Sequence, residues 1–191
     1  MLFNSNRRNI VLFFSFIVLA AILIISISFF LSHNLPYGKI NRNITVNNGL
    51  IYQVGSSLPF TGKILDTLES KMIIEYDVVN GLKNGEYCLS TLEGIFTVHG
   101  FCNNGKNVGR WQYFYENGNL ECIGNFDDDK PSGYWIWYHQ NGARKCDGIF
   151  NNGQREGKWS IYDEDGHLNT IKYYRSDEVI SAFAIDKLIL I

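Results

Sequence analysis

The side chains with the most reactive chemistry are four cysteines, Cys88, Cys102, Cys122 and Cys146, and four histidines, His33, His99, His139 and His167. The cysteines stand 14, 20 and 24 residues apart, with no Cys-x-x-Cys pair, so zinc-ribbon and thioredoxin spacings are absent. The histidines do not cluster with any cysteine, and the sequence assigns no metal ligand. Asp127-Asp128-Asp129 and Asp163-Glu164-Asp165 offer the hard oxygen donors that calcium takes. Neither has the Asp-x-Asp-x-Asp-Gly spacing with a distant Glu that closes a calcium loop, and Asp is favoured in turns on its own account. No Gly-x-Ser-x-Gly, phosphate-binding loop or His-Glu-x-x-His occurs. The expectation is a protein that is not an enzyme, with no catalytic residue, no cofactor and no metal.

What would position these residues is a repeat. Gly85, Gly109, Gly133 and Gly157 are each 24 residues apart, as are Gly94, Gly118, Gly142 and Gly166, and Gly100, Gly124 and Gly148. Aromatic residues keep the same step: Tyr87, Trp111, Trp135 and Trp159 in one series, Phe114, Tyr138 and Tyr162 in another. Within a unit, an aromatic β-prone stretch leads to Asn117-Gly118, Asn141-Gly142 or Asp165-Gly166, then a second β-prone stretch and a polar loop. Asn-Gly and Asp-Gly tolerate the positive φ that a two-residue type I′ hairpin turn needs at both central residues. Each unit therefore reads as a β-hairpin, and successive hairpins extend one antiparallel meander. Cys122 and Cys146 are one repeat apart, hence two strands or about 9.6 Å apart, beyond the reach of a disulfide.

The pattern Gly-x-Trp-x-x-Tyr-x-x-x-Gly, at Gly133 to Gly142 and Gly157 to Gly166, resembles the bacterial variant of the MORN repeat. Leu58-Pro59-Phe60-Thr61-Gly62-Lys63 resembles the unit that opens such arrays. The resemblance covers residues 58–174; it is clear in the last three units, weaker in the unit at Gly85 and degenerate before Gly81. Related bacterial proteins carry the label YwqK-type antitoxin. The resemblance implies an elongated β-hairpin array used for protein contact, and in some MORN proteins for lipid contact.

Strand alternation puts Trp111, Tyr113 and Tyr115 on one face and Gln112 and Phe114 on the other. Apolar columns thus run along both faces. The series Trp111, Trp135 and Trp159 is expected to pack repeat against repeat, with Gly118, Gly142 and Gly166 at turns. Phe114, Tyr138 and Tyr162 are the candidate partner-binding surface, because tyrosine supplies contact area while its hydroxyl stays hydrated. Alternation alone leaves open that the two columns trade places. Gly124 and Gly148 fall inside strands, where a missing side chain permits a bulge or a ring laid close to the backbone.

Ile10 to Leu31 is a 22-residue apolar run interrupted only by Ser15, Ser26 and Ser28. At 1.5 Å per residue it spans about 33 Å, enough for the hydrocarbon core of a bilayer. A cleaved signal peptide has a shorter apolar stretch and a small-x-small site. The reading is one transmembrane helix over 10–31 ahead of the all-β meander, giving a single-pass membrane protein. Arg7 and Arg8 precede the run, so residues 1–9 are assigned to the cytoplasm and the repeat domain to the outside. Residues 32–57 read as a juxtamembrane linker, 58–174 as the repeat domain with clear repeats over 81–174, and 175–191 as a C-terminal capping segment. Ser176-Asp177-Glu178 could cap a short helix there, or Lys187 to Ile191 could form a strand. Asn43-Ile44-Thr45 is a formal glycosylation sequon.

The chain carries 17 basic and 19 acidic residues; without Arg7 and Arg8 the remainder holds 15 against 19, a net charge of -4. A mildly acidic body disfavours nucleic acid, which selects a basic stripe. The expected function is a membrane-anchored repeat scaffold for protein–protein interaction at the cell envelope, its partner another protein or a second copy of the chain. The alternatives are an antitoxin-like partner that binds a toxin, and lipid contact by the sheet.

Overall fold

The computed structural model describes residues 43–68 and 71–185. Thirteen strands account for most of them. A hairpin of β1 (Ile44–Asn47) and β2 (Leu50–Gln53) comes first. Then follow β3 (Gly62–Leu68), β4 (Met72–Val79), β5 (Leu82–Thr91), β6 (Phe96–Asn103), β7 (Lys106–Phe114) and β8 (Leu120–Asp127). The series ends with β9 (Lys130–Tyr138), β10 (Arg144–Asn151), β11 (Gln154–Tyr162), β12 (Leu168–Arg175) and β13 (Glu178–Ala184). Strands β3 to β13 form one 11-stranded antiparallel sheet in unbroken sequence order, the meander that tandem hairpins generate.

Three expectations change. The transmembrane helix was placed at 10–31, which lies outside the described residues. Among the described residues there is no helix, and none is long and apolar enough to cross a membrane. The fold class is corrected to an all-β antiparallel meander. Residues 44–53, read as linker, instead form β1 and β2, tied to the array where the Ile51 N–H donates to the Gly81 carbonyl at 2.9 Å and the Phe60 N–H to the Ile51 carbonyl at 2.8 Å. Past Tyr174 the meander continues: Ser176-Asp177 is a tight turn, and β13 pairs with β12 where a short helix was one expectation. The alternative strand over Lys187 to Ile191 falls outside the described residues.

Turn chemistry also differs from the expectation. At Asn117-Gly118, Asn141-Gly142 and Asp165-Gly166 only the glycine has positive φ, at 82°, 87° and 83°. These are three-residue loops. The Gly118 N–H donates to the Tyr115 carbonyl at 2.8 Å and the Tyr115 N–H to the Asn119 carbonyl at 2.8 Å, the pattern of a turn followed by one left-handed residue. Two-residue turns with positive φ at both positions occur at the opposite end of the strands, as at Asn104 (49°) with Gly105 (82°). Asp128 and Asp129 adopt the same geometry at 52° and 67° without a glycine, as Asp can at modest cost. Each tight turn bonds back to the preceding hairpin: Gly105 N–H to Lys83 carbonyl, Asp129 to Asn107, Gly153 to Pro131, and Asp177 to Arg155, all at 2.8–3.1 Å.

Most of the core lies on one face of the sheet, aliphatic at Ile64, Ile74 and Val78 and an aromatic strip from Tyr76 onward. Tyr87, Trp111, Trp135 and Trp159 are all at most 5% exposed. Each of these three tryptophans lies on the glycine of the preceding strand. A Cβ on Gly100, Gly124 or Gly148 would sit only 2.0–2.2 Å from the nearest indole carbon of Trp111, Trp135 or Trp159. Neighbouring rings continue the strip: Phe126 meets Trp135 edge-on at 5.2 Å, and Phe150 meets Trp159 in the same way at 5.2 Å. A single sheet buries its rings here by stacking repeat on repeat, since one hairpin alone cannot cover its own apolar face. Strand registers shift beside these sites, between His99 and Phe101, Ile123 and Asn125, and Asp147 and Ile149. Gly109, Gly133 and Gly157, at φ 64–69°, sit on the bulged partner strands.

The last repeat breaks this rule for a visible reason. Position 172, one step after Gly148, is lysine, and Lys172 is 8% exposed on the aromatic face. A ring cannot lie on a residue that carries a long side chain. Phe183, one step after Trp159, pairs with Ile171 instead of Lys172. That one-residue slip turns Phe183 to the opposite face.

Candidate functional site

The second face of the sheet, opposite the tryptophans, is where groups capable of recognition gather. Strand parity places Phe101, Tyr134, Ile149, Tyr173 and Phe183 there, each between 38% and 55% exposed. Phe101, Ile149 and Tyr173 stand at one repeat phase, with Asn125 as the polar member of that column. Tyr173 and Phe183 touch edge-on at 6.3 Å. Arg110, Ile123, Asn125, Tyr134 and Ile136 line a shallow depression in the middle of this face.

One buried carboxylate organises its C-terminal half. Asp147 is 6% exposed and accepts a hydrogen bond from the Tyr162 hydroxyl at 3.1 Å. Arg144 Nη1 lies 3.4 Å from the same oxygen. Partial desolvation of its hydroxyl, and then its hydrogen bond to Asp147, push Tyr134 up to about 12. A buried polar group needs such partners, and together they fix the side chains of this region.

The expected surface residues are near this region and are not its most exposed part. Phe114, Tyr138 and Tyr162 are all half-buried at strand ends beside the three-residue loops. The Tyr138 carbonyl accepts from the Tyr115 hydroxyl at 2.7 Å, and the Tyr162 carbonyl contacts His139 Nε2 at 3.3 Å. Sequence reasoning passed over Phe101, Tyr134, Ile149 and Tyr173. The 24-residue spacing of Phe101, Ile149 and Tyr173 was the available signal, masked by Asn125 in the same column. Trp111, Trp135 and Trp159 are buried, and Gly118, Gly142 and Gly166 sit in the loops already described.

The titratable groups fall in two sets. All four cysteines are free thiols. Cys102, Cys122 and Cys146 are buried on the aromatic face, and desolvation pushes Cys102 up to about 11 and Cys146 up to about 12. Cys88 is only half-buried and lies on the second face. The expectation that no histidine clusters with a cysteine is corrected there, because His99 is the direct cross-strand partner of Cys88 and Glu86 stands beside them. In the two acidic stretches, Asp128, Asp129 and Asp163 hold turns. Asp129 accepts from the Asn107 N–H at 2.7 Å, Asp128 pairs with Lys106, and Asp163 accepts from the Asp165 and His167 N–H groups at 3.1 and 2.8 Å.

No curated protein matches the chain. Among solved structures, a TarM mutant of S. aureus in complex with fondaparinux, alpha-GlcNAc-glycerol and UDP is similar at 16% identity and a TM-score of 0.33. The match covers 56% of this chain and 21% of that one, so the chain spans about a fifth of that protein's length. Residues 107–128 and 155–176 match the family model of the MORN repeat variant. The two segments start 48 residues apart, two steps of the 24-residue period, and the unit between them has the same turns and the same tryptophan over glycine. Two stretches of the β-meander are thus similar to the MORN repeat variant.

Proposed function

We propose that the array is a protein-binding scaffold, with the second face of the sheet meeting a protein partner or a second copy of the chain. The observation that carries this reading is the set of exposed apolar side chains Phe101, Tyr134, Ile149 and Tyr173 on a face whose opposite side already holds most of the core. Repeat arrays use one face for cohesion and leave the other for recognition, and exposed aromatic residues are enriched in binding hot spots. The acidic balance of the chain beyond Arg8 favours a protein over nucleic acid. A triple variant, Tyr134→Ser, Ile149→Ser and Tyr173→Ser, tests the reading. It is expected to keep its β-sheet circular dichroism and to lose partner capture and self-association in sedimentation. Undiminished association by the folded variant would remove this face from the account.

A further inference from the structure

We propose that Glu86, Cys88 and His99 form a binding site for a divalent transition metal ion of the Zn²⁺ type. The three residues offer one carboxylate oxygen, one sulfur and one imidazole nitrogen, all within 4.8 Å of one another. Cys88 and His99 are Cα partners across β5 and β6, and Glu86, two residues before Cys88, lies on the same face. Glu86 Oε1 is already 2.9 Å from His99 Nε2. Zn–N and Zn–O bonds near 2.0–2.1 Å and Zn–S near 2.3 Å put tetrahedral ligand atoms roughly 3.3–3.6 Å apart, so small rotamer changes suffice.

The surroundings suit such an ion. The ligands stand on paired strands, which hold donors more rigidly than a loop does. Phe96 and Phe101 flank the His99 ring at 6.1 and 5.6 Å, giving it an apolar wall. His99 and Glu86 remain 29% and 47% exposed in their side chains, so an ion can enter from solvent. Glu75, the partner of Cys88 on β4, is held by Lys63 at 2.6 Å, which leaves the fourth coordination position to water or a ligand. Sulfur and imidazole donors select zinc-like ions over calcium and magnesium. Desolvation and then the carboxylates of Glu86 and Glu75 push the Cys88 thiol up, and a bound cation reverses that balance. On binding, the thiol releases its proton to the buffer as the sulfur–metal bond forms. This inference stands apart from the protein-binding reading and rests only on the β5–β6 pair.

The test uses the full, untagged chain, reduced with a phosphine and stripped with a chelator, then titrated with Co²⁺ and with Zn²⁺. The expected result is one equivalent of Co²⁺ with a thiolate-to-cobalt charge-transfer band, displaced by Zn²⁺. Cys88→Ser abolishes the band. Glu86→Gln and His99→Gln each weaken binding by at least about tenfold, and Cys102→Ser leaves it unchanged. Glu86 is exposed, so Glu86→Gln keeps the test available if Cys88→Ser disturbs packing. A missing charge-transfer band, a band that survives Cys88→Ser, or an affinity indifferent to both Glu86→Gln and His99→Gln overturns the proposal.

Discussion

Gly124→Ala adds one methyl group to a strand interior, and the geometry makes it among the costliest small changes available. The new Cβ would lie 2.0, 2.2 and 2.4 Å from three atoms of the Trp135 indole. The ring must move by more than 1 Å, on the order of the gap to ordinary contact at about 3.5 Å. Trp135 is 2% exposed and wedged against Phe126 and Trp137 at 5.2 and 5.6 Å, so it has little room. Its Nε1 donates to the Asn125 carbonyl at 3.1 Å, a bond the displacement would stretch. Overpacking costs about 1–3 kcal/mol and the lost bond about 1, so roughly 2–4 kcal/mol is expected. Gly142→Ala is the control. It meets nothing within 4 Å, but its φ is +87°, so it should cost only about 1–2 kcal/mol of left-handed strain. Urea unfolding followed by circular dichroism ranks the two. Trp135→Ala in the Gly124→Ala background adds the decisive arm, because removing the ring makes room for the methyl group. The pair should be less destabilised than the sum of its parts, by about 1–3 kcal/mol. Additive costs, or Gly124→Ala costing no more than Gly142→Ala, would refute stacking of ring on glycine.

Stability should fall at alkaline pH. The folded-state values of Cys102 (about 11), Cys146 (about 12) and Tyr76 (about 12) lie above their ordinary values of 9.0, 9.0 and 10.0. Their contribution is therefore whole below about pH 9 and lost as pH rises toward 12. Urea midpoints across that range should drop, and less steeply in a Cys102→Ala, Cys146→Ala variant. Thiol labelling of the native protein should modify Cys88 first and leave Cys102, Cys122 and Cys146 protected until urea opens the sheet. Mass spectrometry of the labelled peptides reads this, and equal labelling of all four would place the cysteines wrongly.

The hairpin array was legible because its period is short and is marked by residues with strong local preferences. Tryptophan at 111, 135 and 159 and glycine at 100, 124 and 148 announce both the repeat and the ring laid on backbone. Turn type was not legible at Asn117-Gly118, since the same dipeptide serves a two-residue turn and a three-residue loop. The actual two-residue turns included Asp128-Asp129 and Ser176-Asp177, which lack the glycine that signals one. The pairing of Cys88 with His99 depends on the register across β5 and β6, set by the length of the intervening loop and by a bulge, and neither is written in residue type. The last strand eluded reading because Lys172 replaces the glycine and Ser181 stands one step after Gly157, so β13 keeps the meander without the motif. Exposure on the second face was hidden for a related reason: alternation separates the faces, but only packing decides which positions along a strand remain open.

Site-resolved photo-crosslinking tests the binding scaffold most directly. A photoreactive side chain placed at Tyr134 or Tyr173 on the second face is compared with one at Gln140 or Glu164, which lie in exposed loops. The account predicts a discrete adduct, to a protein partner or to a second copy, from Tyr134 and Tyr173 and none from Gln140 and Glu164. Equal adducts from all four positions, or adducts from the loop positions alone, would contradict it.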